Sequence, residues 1–190
     1  MTVDQAVQAA QAMTVDQAVQ AAQAMTVDQA ARALNRDQEQ NMQPTIIFDI
    51  DGTLANCEHR VHYVRTSPKN WPAFNRAMKK DTANEDIVWI LKTFQSAGCT
   101  ILIASGRSED DRHVTEAWLR DVAGVDGLYA RLYMRPSGDF RSDDIVKSEI
   151  LDKMRQDGFN PSMVVDDRQQ VVDMFRSRGL RVLQVAPGDF

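Results

Sequence analysis

The sequence predicts an α/β fold of Rossmann-like type: a three-layer sandwich around a central, mostly parallel five-stranded sheet, with only a small cap or flap. Three observations carry that expectation. From Pro44 onward, short apolar runs alternate with longer helical patterns, and strands that alternate with helices pair in parallel with helices on both faces. The run TIIFDI at 45–50 is apolar almost throughout, as a strand buried on both faces must be. Gly98, Gly158 and Gly179 stand where helical patterns end, the usual place for a glycine cap.

The elements follow in order. Residues 1–12, MTVDQAVQAAQA, recur unchanged at 13–24, and MTVDQA returns at 25–30. Ala and Gln favour helix, but such small apolar side chains bury little. Residues 1–43 are therefore expected to be a helical or disordered segment, with a helical oligomerisation arm as the alternative. Residues 44–190 form the folded domain. Its strands are expected at 45–50, 100–104, 128–134, 162–166 and 181–185, and its helices at about 84–97, 109–122, 143–157 and 168–178. Trp89 and Trp118 fall in apolar helical stripes and are expected in the core. The segment of about 55–83 is too short for a separate cap domain and long enough for a flap. Its Trp71 and Phe74 either pack on the core or stack on a base.

Composition narrows the function classes. A chain of 190 residues, 43% hydrophobic, has the size of one ordinary domain with a proper core. A net charge of −5 argues against charge-driven coating of nucleic acid, though not against a local basic pocket. No apolar run approaches a membrane span, and no signal-peptide core flanked by basic residues opens the chain. Two cysteines, Cys57 and Cys99, make no disulfide framework, so a reducing cytoplasm is expected. Oligomeric state is not written in the sequence.

The chemistry lies at the strand ends. Strand one ends in Asp49 and Asp51, strand two in Ser105-Gly106-Arg107, and strand four in Asp166-Asp167-Arg168. Ligands of open α/β sheets bind beyond the carboxyl ends of strands. Four carboxylates gathered there repel one another, and a hard divalent cation such as Mg²⁺ relieves the conflict with oxygen ligands and a substrate phosphate. One of Asp49 and Asp51 can attack phosphorus while the other moves protons. Ser105 with Gly106 offers a hydroxyl and an approachable backbone, and Lys147 can neutralise nucleophile and phosphate.

These residues carry a resemblance. DxDGT at 49–53, Ser105 after an apolar strand, Lys147 and the acid pair at 166–167 resemble, in order and type, the four motifs of haloacid dehalogenase-like phosphatases. ASGR at 104–107, AGV at 123–125, GDFRSDDIVKSEI at 138–150, VDDRQQVVDM at 165–174 and QVAPGDF at 184–190 are similar to the 3′-phosphatase domain of phage polynucleotide kinase. The resemblance implies a Mg²⁺-dependent phosphomonoesterase with an aspartyl-phosphate intermediate. Asp49 would be the nucleophile, and Asp51 the proton donor and acceptor. Asp49, the backbone carbonyl of Asp51, Asp166 and Asp167 would hold the ion, while Ser105 and Lys147 would bind the transferred phosphoryl group. Arg60, Gly106, Arg107 and Arg168 would grip the rest of the substrate, a phosphorylated nucleic-acid end or a nucleotide. No GxxxxGK[ST] occurs, so a kinase half is absent. The alternatives are a nucleoside monophosphatase and a catalytically silent phosphate-binding partner of a nucleic-acid repair complex.

Other features have plainer expectations. Cys57-x-His59-x-x-His62 has loose spacing and no fourth metal ligand. His113 is expected in solvent, and Asp110, Asp111 and Asp143-Asp144 as acidic first turns of helices. Arg131, Arg135 and Arg141 either contact phosphates or face water without a specific ligand.

Overall fold

The structure is a computed structural model that describes residues 43–188, preceded only by Gln20 and Gln29. Apart from Gln20 and Gln29, the repeat-bearing segment up to residue 42 and the last two residues of the QVAPGDF segment lie outside the described residues. The elements are β1 Thr45–Phe48, β2 Ala55–Asn56, α1 Glu58–Arg65, α2 Trp71–Ala77, a 3₁₀ turn Met78–Lys80, β3 Thr82–Ala83 and α3 Glu85–Ser96. There follow β4 Thr100–Ser108, a 3₁₀ turn Glu109–Asp111, α4 Arg112–Asp121, β5 Arg131–Arg135, α5 Asp143–Gln156, β6 Pro161–Asp166, α6 Gln169–Ser177 and β7 Arg181–Gln184.

The central sheet has the order β5-β4-β1-β6-β7, and every neighbouring pair is parallel. Successive residues of a strand face opposite sides, and the core divides accordingly. Ile46, Phe48, Ile101 and Ile103 pack with α3 and α4 through Val88, Leu91, Trp118 and Leu119. Ile47, Leu102, Ala104 and Val164 pack on the other face with α5 and α6 through Leu151, Met154, Val171 and Phe175. Each such fully buried side chain contributes about 1.5–3 kcal/mol. β1 has two strands on each side, so its carboxyl end opens at the centre of the sheet's edge.

Two boundaries differ from expectation. β4 runs on to Ser108 and carries Ser105-Gly106-Arg107 on the strand itself, with a register shift against β5 between Ser105 and Ser108. β5 starts at Arg131 because Leu128 is folded into a turn, its amide donating to the Val125 carbonyl. The insertion after β1 is a small flap, as expected: β2 and β3 pair antiparallel and enclose α1 and α2. Trp118 is buried, but Trp89 is 67% exposed, a correction to its expected place. α3 buries Ile87, Val88 and Leu91, and Trp89 points away from that face.

Candidate active site

Asp49 extends β1 by one residue, its amide donating to the Val165 carbonyl of β6 at 3.0 Å. The chain then folds back on itself, with Thr53 and Ala55 amides on the Ile50 carbonyl at 3.2 and 2.7 Å. Gly52 makes this possible. Its φ is +87°, and a Cβ there would lie 2.3 Å from Asp167 Oδ2, so both conformation and space demand glycine. The turn separates the two acids, sending Asp49 and Asp51 into different clusters.

Asp49 belongs to the first cluster. Lys147, one turn into α5, places Nζ 2.6 Å from Asp49 Oδ1 and 2.8 Å from Asp166 Oδ2. Asp166 also accepts from the Arg168 amide at 3.0 Å, and Asp167 accepts from the Thr53 hydroxyl at 3.2 Å. Oxygens of Asp49, Asp166 and Asp167 lie within 4.8 Å of one another. Gly188 leaves room for the third acid, since a Cβ there would meet Asp167 Oδ2 at 2.1 Å. Three buried carboxylates thus surround one ammonium, and their protonation reflects the imbalance. Burial raises the Asp49 pKa well above its ordinary value; Lys147 opposes that, and Asp166 and Asp167 reinforce it. Burial and Asp166 push Asp167 up to about 6. For Lys147, burial alone would lower the pKa, but Asp166 and Asp49 outweigh it and raise it. An oxygen-only donor set with surplus negative charge fits a small divalent cation.

Asp51 belongs to the second cluster. It accepts from Arg60 Nη2 at 2.6 Å and from Arg107 Nη2 and Nε at 2.5 and 3.0 Å. Both guanidiniums are shared with Asp81, which accepts from Arg60 Nε and Nη2 at 2.8 and 2.6 Å and from Arg107 Nη2 at 2.9 Å. His59 Nε2 lies 2.9 Å from the same carboxylate. Aromatic rings floor the arginines, with Arg60 4.0 Å from the Phe74 centroid and Arg107 5.7 Å from that of Trp118. The Trp118 indole donates to the Asp81 carbonyl at 2.8 Å. Burial would raise the Asp51 pKa, but Arg107 and Arg60 overcome it and hold it at about 2. Arg107 Nη1 is buried and has no hydrogen-bond partner among the described residues, which leaves a donor for a ligand.

Ser105 is buried and its Oγ accepts from the Arg107 amide at 3.2 Å. A Cβ on Gly106 would come within 2.7 Å of Asp143 Oδ1. Asp143 is more than the start of α5, for it pairs with Arg135 and with Arg168. Arg135 also donates to the Gly106 carbonyl at 2.8 Å. The remaining arginines of that group are paired elsewhere, Arg131 with Asp157 at 2.5 Å and Arg141 with Asp139 and Glu149 at 2.6 and 2.8 Å. Cys57, His59 and His62 form no metal cluster among the described residues; His59 is engaged by Asp81 instead.

Sequence reasoning missed Asp81 and the part that Asp143 plays. Asp143 was visible only as a helix start. Asp81 lay in the MKKDTAN stretch with no motif around it; its one signal was an acid at the flap's end, opposite the arginines of Arg60 and Arg107.

Comparison with known proteins bears on what this arrangement belongs to. A family model described as the polynucleotide kinase PNKP phosphatase domain matches residues 43–190. The chain belongs to this family. The resemblance drawn from the motifs is thereby borne out, and the chain is a haloacid dehalogenase-like phosphatase. A viral protein described as a bifunctional polynucleotide kinase/RNA ligase, from Autographa californica nuclear polyhedrosis virus, is 26% identical over 132 residues. The match takes in 69% of this chain and 17% of the viral protein. A chain in a structure of the Pnkp1/Rnl/Hen1 complex is 32% identical with a TM-score of 0.64, covering 78% of this chain and 48% of that one. The chain therefore spans less than half the length of these relatives. A class C acid phosphatase from Bacillus anthracis, 13% identical with a TM-score of 0.58 over 86% of this chain and 75% of its own, shares the fold.

Proposed function

We propose that this phosphatase domain is a Mg²⁺-dependent polynucleotide 3′-phosphatase acting through an aspartyl-phosphate. The observation that carries the reading is the separation of the two acids. Asp49 stands among Lys147, Asp166 and Asp167, while Asp51 faces the arginine pair. Asp49 Oδ attacks phosphorus as the bond to the leaving oxygen breaks. Lys147 neutralises charge on the nucleophile and the phosphoryl oxygens, and Ser105 and its neighbouring amides bind those oxygens. Asp51 donates a proton to the leaving oxygen and then takes one from the water that hydrolyses the aspartyl-phosphate. In the free protein Asp51 is ionised, the form for the second step. The first step needs the acid, so the arriving phosphate must loosen the hold of Arg60 and Arg107. A magnesium ion held by Asp49, Asp166, Asp167 and the backbone carbonyl of Asp51 would supply fixed positive charge against the phosphoryl oxygens.

Support for a nucleic-acid substrate comes from the family and from the flap, which is small and is the largest cover over the strand ends among the described residues. Among the described residues no helix is long and apolar enough to cross a membrane, and we place the protein in the cytoplasm, that of the host if it is phage-encoded. Residues 44–190 are the catalytic domain in this reading. The test offers purified protein a 3′-phosphorylated oligonucleotide, a 5′-phosphorylated one and free nucleotides, with Mg²⁺ and with a chelator, and follows phosphate release. Release from the 3′ end, lowered about a thousandfold by the chelator, is expected. Preference for free nucleotides would instead favour a nucleoside monophosphatase.

A further inference from the structure

The flap carries a charge pattern unlike the rest of the chain. Residues 58–80 hold six cations, Arg60, Arg65, Lys69, Arg76, Lys79 and Lys80, against the single acid Glu58, in a chain of net charge −5. Arg60 is committed to Asp51 and Asp81, and Arg65 to Glu58 at 3.4 Å. Lys69, Arg76, Lys79 and Lys80 are exposed and make no ion pair among the described residues. On the other side of the sheet the surface arginines are mostly paired: Arg141 with Asp139 and Glu149, Arg178 with Asp152. Four open cations concentrated on the flap, which reaches the site through Arg60 and Asp81, are not explained by structure.

An aromatic plate stands among them. Trp71 opens α2 and is 42% exposed, while its edge is fixed against Phe74, centroids 5.7 Å apart at an interplanar angle of 88°. Lys69 Nζ lies 5.3 Å from the indole centroid. Phe74 is buried and carries the Arg60 guanidinium 4.0 Å away, and Arg60 holds Asp51 at 2.6 Å. These contacts joined end to end keep the indole within roughly 14 Å of the Asp51 carboxylate, allowing one C–N bond in the guanidinium. A stacked strand covers that distance in about four nucleotides, at about 3.4 Å each. A rigid, half-exposed indole beside unpaired cations is the combination that holds single strands without regard to sequence.

We propose that the flap surface bearing Trp71, Lys69, Arg76, Lys79 and Lys80 docks the single-stranded nucleic acid that leads to the terminal phosphate. A base stacks on Trp71 and the cations take backbone phosphates. This rests on the reading of the site as acting on a nucleic-acid end, and its test is separable from that reading. Full-length protein in an Asp49→Asn background is titrated with fluorescently labelled single strands of DNA and of RNA, both 3′-phosphorylated, and binding is followed by anisotropy. Trp71→Ala is expected to weaken binding on the order of ten- to a hundredfold. Lys79→Gln with Lys80→Gln is expected to lower the salt slope of log K by about 0.7 per cation removed. Trp89→Ala, an exposed indole elsewhere, is the control and leaves binding unchanged. Trp71→Leu keeps an apolar contact on Phe74, so it answers the question if the alanine variant misfolds. Equal binding by the Trp71 and Trp89 variants would overturn the proposal. So would a KM penalty in the active Trp71 variants that is as large for a nucleoside 3′-monophosphate as for the strand. Protein that holds strands through Trp71 yet releases no 3′-phosphate would uphold the surface and refute the 3′-phosphatase. Release from strands with a KM indifferent to Trp71 would do the reverse.

Discussion

Asp49 and Asp51 stand two residues apart, yet Asp49 is one of three carboxylates around a single ammonium, whereas Asp51 and Asp81 face two guanidiniums. The first cluster carries surplus negative charge in a buried place, and the second is balanced. Burial acts on both acids in the same direction, so the opposite outcomes, Asp49 raised and Asp51 held at about 2, come from the partners alone. In the proposed reaction the unbalanced Asp49 side takes up positive charge from outside, while the balanced Asp51 side keeps its acid ionised until an arriving phosphate draws the guanidiniums away.

The largest expected effect breaks the Asp49 side. Asp49→Asn removes the proposed nucleophile while keeping its shape, and phosphate release should fall about ten-thousandfold or more. Its thermal stability should match or exceed that of the wild type in metal-free buffer, because one repelling charge has gone. Residual activity near wild type would sink the covalent mechanism. The next effect strikes the Asp51 side, where Asp81→Ala leaves two buried guanidiniums sharing one carboxylate. Removing one member of such a buried network costs about 3–5 kcal/mol, a fall in melting temperature on the order of ten degrees. Calorimetry that finds stability intact would show the balanced cluster to be ornamental. The smallest effect probes how tightly that cluster is closed. Burial first, and then Asp51, pushes the Cys57 thiol up to about 12, while Cys99 is partly exposed. A thiol reagent at pH 8 should label one cysteine in the native protein and the second only in denaturant. Rapid labelling of both would mean that the flap opens over the site.

Much of this was legible in the chain. The strands and helices could be placed because short unbroken apolar runs and helical stripes are local signals, and Asp49, Ser105, Lys147 and Asp166 were visible because each follows a buried strand or opens a helix. Asp81 was not, since its importance arises only when the ends of the flap and β4 bring Arg60 and Arg107 to it. Trp89 was misplaced for another reason: Ile87 to Leu91 is an unbroken apolar run, which hides which face turns inward until the sheet is there to choose Val88 and Leu91. The flap's aromatic pair was left open between packing and stacking; the structure packs Phe74 inside and leaves Trp71 partly exposed.

Trp118 has a consequence of its own. Its indole is buried, donates to the Asp81 carbonyl and lies beneath the Arg107 guanidinium, whereas Trp71 and Trp89 face solvent. The molecule therefore contains a short-wavelength emitter seated against Arg107, one of the two arginines that hold Asp51, and two long-wavelength emitters that face solvent. Changes in the blue edge of the spectrum when phosphate enters would follow the guanidiniums as they let go of Asp51, with no label attached.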